Sequence, residues 1–188
     1  MSGSGRSPAV VVRRVLPTDP SVRGSGSLFV TEAERQGLRA DRRMLYIGLE
    51  PAGAAVAAAL RIAPGVPVLA RRKLLIANEI PVRIATSYFR ADLFGGTRIA
   101  DPGFITPTLQ AEIEGRGHRF GHAAETLTAR APTDSELVTL DLAPGEWVVE
   151  VLRAAYSDRD EPVHVLETVC AGSRHVFEIT QAAGADEF

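Results

Sequence analysis

The chain has 188 residues, 45% of them apolar and 23% charged, with a formal net charge of −2. That length suits one domain with a core of its own, and the balance is globular rather than disordered. Near-neutral charge removes any general pull toward nucleic acid, no apolar run reaches the roughly 18–20 residues of a membrane span, and one cysteine, Cys170, leaves no disulfide framework. A soluble cytoplasmic domain is therefore expected, since the N-terminus also lacks the apolar core of a signal peptide.

In chain order, residues 1–8 are rich in Gly and Ser and read as a mobile leader. Ala9 to Val12 is a short β-branched run, an edge strand at most, and Pro17 to Ser27 is loop text. Thr31 and Glu34 have capping-box spacing and predict a helix from Thr31 to near Gly37. Met44 to Leu49 reads as a strand and Ala52 to Leu60 as an Ala-rich helix. Two long strands follow, Val66 to Ile76 and Pro81 to Phe89, joined at Ala77–Ile80. Thr108 to Gly115 reads as a helix-bearing connection and His118 to Arg130 as a strand. Thr133 and Glu136 form a second capping-box start, for a helix to Leu140. Trp147 to Tyr156 and Val163 to Cys170 make another long hairpin, Val176 to Thr180 is predicted to close the sheet, and residues 181–188 form a tail.

The chain repeats itself at an offset of 80 residues. Leu60-Arg61-Ile62-Ala63-Pro64-Gly65 returns as Leu140-Asp141-Leu142-Ala143-Pro144-Gly145, and each copy runs on through an apolar stretch to a Pro-Val pair, Pro81-Val82 and Pro162-Val163. The unit is helix, Ala-Pro-Gly turn, strand, hairpin, strand. Two such units predict an α+β domain with a pseudo-symmetric antiparallel sheet and helices on one face, holding a ligand where the halves meet.

These residues resemble a known family. The run Val68 to Phe89, the strand Glu125 to Arg130, the second Ala-Pro-Gly unit and the hairpin from Pro162-Val163 to Gly172 look like a UTRA domain, over roughly residues 25 to 180. This is the effector-binding domain of the HutC branch of GntR transcription regulators, and it shares its fold with chorismate lyase. The resemblance implies a six-stranded antiparallel sheet with flanking helices, homodimerisation and a small-molecule pocket. It also implies operator DNA gripped by an N-terminal winged helix. Nothing in this sequence supplies that winged helix, so residues 1–24 read as a linker or leader.

The resemblance also implies contact positions for an effector. The start of the early helix, Phe29 and Thr31, matches a place where helix-end N–H groups favour an anion, although Thr31 also suits a plain cap. The family's Arg-x-Arg on the first long strand falls at Lys73 and Leu75, with Arg71 just before, and Arg83 on the partner strand restores a cation. Alternation sends Arg71 and Lys73 to one face and Arg72 to the other. In the last hairpin the family's Glu and Tyr are replaced by His164 and Cys170, with Glu167 between them. Tyr88 and Thr106 complete the candidate set. These departures predict a less charged, more apolar effector than an amino-sugar phosphate. No phosphate loop or metal spacing is present, so no cofactor, metal or catalytic residue is expected. Two rival readings stand beside the regulator: a chorismate-lyase-like enzyme using Arg71, Lys73, Arg83 and Glu167, and an orphan dimerisation domain with no ligand.

Overall fold

The computed structural model describes residues 10–15 and 28–178. Six of its eight described strands and four of its five described α-helices belong to the repeat and the insertion between its units. The first unit is β2 (Ala40–Pro51), α2 (Ala54–Leu60), β3 (Pro67–Ala77) and β4 (Ile80–Arg90). The second is β5 (Phe120–Arg130), α5 (Asp134–Leu140), β6 (Val148–Ser157) and β7 (Pro162–Ala171). Between the units lie α3 (Ala91–Phe94), a 3-10 turn at Arg98–Ala100 and α4 (Leu109–Glu114). Outside them are β1 (Val12–Val15), α1 (Leu28–Arg35) and β8 (His175–Glu178).

The six-stranded sheet is antiparallel throughout, in the order β2-β3-β4-β7-β6-β5. The two units therefore join at the β4–β7 pair and are related by pseudo-symmetry. The Ala-Pro-Gly turns explain the repeat physically. Each helix ends on a left-handed cap residue, Arg61 at φ 55° and Asp141 at φ 49°. The next N–H then closes back on the helix, Ile62 to the Ala57 carbonyl and Leu142 to the Leu137 carbonyl, both at 3.0 Å. Gly65 and Gly145 sit at φ 82° and 85°, which any β-carbon would disfavour. At the β3–β4 hairpin, Asn78 and Glu79 both have positive φ, the two-residue turn whose twist suits antiparallel strands.

Helices cover both faces of the sheet, not one. On one face α2 packs Val56, Ala57 and Leu60 against Val68, Ala70 and Val165, while Leu140 of α5 packs on Leu74, Ile84, Val148 and Val169. On the other, Phe94, Ile99 and Ile113 cover Leu69, Phe89 and Val163, and Phe29 of α1 covers Leu75, Ala77 and Ala85. The insertion between the units supplies a second cover that the repeat pattern does not contain.

Three further differences concern the ends of the described chain. Helix α1 begins at Leu28, so Thr31 lies inside it and caps nothing. Strand β8 pairs in parallel with β1 as a separate two-stranded sheet instead of closing the main one. Residues 10–15, within the stretch expected to be leader, carry β1, and Val10 and Val12 are buried under α1. The expected leader up to residue 9 and the expected tail from 181 lie outside the described residues.

Candidate functional site

Strict alternation along β3 turns Arg71 and Lys73 toward the α1/α4 face and Arg72 toward the α2 face, where Arg72 pairs with Glu50 at 2.9 Å. A cavity of about 240 Å³ opens above Arg71 and Lys73. Its floor is completed by Arg42 and Met44 of β2 and Ser87 of β4, and its wall is the loop Phe104 to Thr108 with Leu109 of α4. Three cations thus share a small cavity whose lining contains no carboxylate.

The three cations are used differently. Arg71 is buried, and its guanidinium donates to the carbonyls of Ile99 at 2.6 Å, Asp101 at 2.9 Å and Gly103. Arg42 lies over the Phe104 ring, 4.5 Å from its centroid. The Lys73 side chain has no hydrogen bond or ion pair among the described residues. Burial, with the charges of Arg42 and Arg71 adding to it, pushes the Lys73 ammonium down to about 8. A lysine desolvated between two arginines, with space above it, is in surroundings whose charge favours an anion.

The second unit uses the matching position differently. Arg153 stands 80 residues after Lys73, at the matching place on β6. Lys73 pairs across the strands with Met44, whereas Arg153 pairs with Glu125. Glu125 lies 3.4 Å from Arg153 and 3.3 Å from Arg14 of β1, so the equivalent cation has a carboxylate partner. The cavity consequently sits over β2–β3–β4 and not at the seam between the halves.

Of the sequence candidates, Arg71, Lys73 and Thr106 line the cavity. His164 lies on the same face, stacked on Phe89 at 4.9 Å, with Nε2 unpaired and its pKa lowered to about 3 by burial and the nearby Arg153 and Lys73 charges. Phe29, Thr31, Arg83 and Cys170 belong to the α1 corner. There Arg83 lies over the Phe29 ring, pairs with Glu32 at 3.0 Å and donates from Nε to His175 Nε2 at 2.8 Å. Cys170 is fully buried, and burial raises its thiol to about 11. Tyr88 and Glu167 are on the opposite face, joined to each other by a 3.3 Å hydrogen bond from the phenol. Burial raises both, Tyr88 to about 12.

Sequence reading missed Arg42, Met44 and the lining role of Phe104. Arg42 and Met44 share the parity of residues facing Lys73 on β2, which was a usable signal once β2 is known to begin at Ala40. Phe104 had none, because its place depends on how the insertion folds back.

This arrangement can be set beside known proteins. A family profile for the UTRA domain matches residues 35–176. The chain belongs to the UTRA family. It is 34% identical over 148 residues to an uncharacterized HTH-type transcriptional regulator of Streptomyces coelicolor, covering 76% of this chain and 54% of that protein. The chain thus spans about half the length of that curated relative. The effector domain of PhnF from Mycobacterium smegmatis superposes with a TM-score of 0.71 at 25% identity, over 92% of this chain and all of that one. A longer PhnF structure gives 0.73 at 24% identity, over 93% of this chain and 73% of that one. The C-terminal domain of YurK from Bacillus subtilis shares the fold, with a TM-score of 0.63 at 21% identity over 73% and 94% of the chains. Among the described residues, no helix is long and apolar enough to cross a membrane.

Proposed function

We propose that this UTRA domain senses a small anionic effector in the cavity under loop 104–108 and controls operator binding by a winged helix in a GntR-type regulator. The carrying observation is the unpaired Lys73, flanked by Arg42 and Arg71 in a cavity without carboxylates. The anion is held by charge rather than by the apolar contacts that the sequence departures suggested. Its size is limited, since 240 Å³ is below the roughly 300–1,000 Å³ of drug-sized sites. A phosphate or carboxylate on a compact metabolite suits both limits.

Regulation then follows from linkage. Two such domains in a homodimer set the spacing of two DNA-reading heads, and the effector acts by preferring one arrangement. Release of DNA requires that the effector favour the arrangement that does not fit the operator. The enzyme reading loses its acid: Glu167 lies across the sheet from Lys73 and faces Tyr88. The test is calorimetric titration with phosphorylated and carboxylated metabolites of similar size. Saturable binding by one anionic class, lost in Lys73→Met, supports the reading. Binding of a neutral ligand with undiminished affinity in Lys73→Met defeats it.

A further inference from the structure

We infer that Arg71 acts on the loop and not on the effector: it is the strut that holds segment 99–109 over a subsite whose working cations are Lys73 and Arg42. This deepens the proposed sensing role and rests on it only for the part concerning ligand. The geometry is specific. Arg71 is buried, and its Nη1 reaches the carbonyls of Ile99 and Asp101 while Nη2 reaches that of Gly103. Those three acceptors alternate along the chain just before the residues that wall the cavity, Phe104 to Leu109. Both terminal nitrogens of the fork are thereby committed to backbone oxygens, and Arg is the side chain whose planar donors can serve several acceptors at once. Loop carbonyls in a partly buried segment need such partners, because no ladder supplies them.

Arg42 completes the device from the opposite side. Its guanidinium rests on Phe104, the first residue of the wall, so the loop is gripped at its start by Arg71 and at its outer rim by Arg42. Lys73 touches no part of the loop through a hydrogen bond and is left for the ligand. A cation on this strand suggests a direct ligand contact, yet at Arg71 three of the five guanidinium N–H donors are already given to loop carbonyls.

The inference separates two residues only two positions apart. Arg71→Lys keeps the charge and loses the fork, and Lys73→Met loses the charge and keeps the fork. Amide hydrogen exchange of the free domain, with β6 amides of 148–157 as internal reference, is predicted to rise at least tenfold across 99–109 in Arg71→Lys and to stay within twofold in Lys73→Met. Equal protection of 99–109 in wild type and Arg71→Lys, relative to β6, overturns it. Where Arg71→Lys does not fold, the wild type still decides through NMR of its side chains during titration with inorganic phosphate. Slowly exchanging Arg71 guanidinium protons that keep their shifts while the Lys73 ammonium responds support the strut. An Arg71 guanidinium that moves with phosphate, or that exchanges freely in the absence of ligand, refutes it. A failure of phosphate to bind strikes the proposed effector class alone, since the exchange comparison needs no ligand.

Discussion

Replacing Lys73 by Met should make the domain more stable and less responsive at once. The ammonium is held at about 8 against an ordinary 10.5, chiefly by burial. Keeping it charged at neutral pH therefore costs up to about 3 kcal/mol, and about 2 kcal/mol after discounting for its partial exposure. Met preserves the length and burial of the stem and removes the charge. In a domain of this size, about 2 kcal/mol corresponds to a rise of roughly 4–8 °C in Tm. The pH dependence gives the sharper check. Because the folded pKa lies below the unfolded one, the unfolded chain holds more protons between pH 8 and 10.5, and wild-type stability climbs through that window. The advantage of Lys73→Met should be full below pH 8 and fade toward pH 10.5. Guanidinium denaturation from pH 7 to 10.5 measures both curves. A variant no more stable than wild type at pH 7, or a gap that does not close with pH, would refute the claim that Lys73 is an unpaired, desolvated cation.

Other expectations concern the frame around the site. Arg83→Met alone strands the buried Glu32 carboxylate and should cost about 3–5 kcal/mol, whereas adding Glu32→Leu should restore most of that loss; chemical denaturation of the single and double variants compares them. Thr133→Ala removes the capping box that opens α5 and should cost about 1 kcal/mol, measured as a shift in denaturation midpoint. His164 is held neutral with its pKa lowered to about 3, so protons bind the unfolded chain more strongly between pH 6.5 and 3 and stability falls as pH drops through that range. His164→Phe, which keeps the stack on Phe89, should flatten part of that acid slope; an unchanged slope would place the titration elsewhere.

Much of the fold was legible because the repeat is written in turn chemistry. The two Ala-Pro-Gly turns and the two Pro-Val pairs placed α2, α5 and four long strands within a residue or two. Thr133 and Glu136 do form the reciprocal cap that their spacing predicts. Thr31 and Glu34 have the same spacing but sit inside α1, which begins at Leu28 and packs Phe29 against Leu75 and Ala85. Local pattern identifies a helix start only where no earlier apolar residue is recruited by tertiary contact. Alternation along β3 correctly separated Arg71 and Lys73 from Arg72. It could not tell that Arg83 is neutralised by Glu32, or that Tyr88 and Glu167 share the far face, since both depend on neighbours far away in sequence. The cavity wall is least legible of all, being an insertion outside the repeat whose position is fixed by three backbone carbonyls meeting one arginine.

The central claim is that Lys73, with Arg42, holds an anionic effector on the β2–β3–β4 half of the sheet. A thermal-shift screen at constant ionic strength, run in parallel on wild type and Lys73→Met, tests it most directly. A ligand at 100 times its Kd stabilises by about 2.7 kcal/mol, well within reach of such a screen. The account predicts a saturable rise in wild type for one class of phosphate- or carboxylate-bearing metabolites, absent from Lys73→Met. A saturable rise of equal size in both proteins would contradict it.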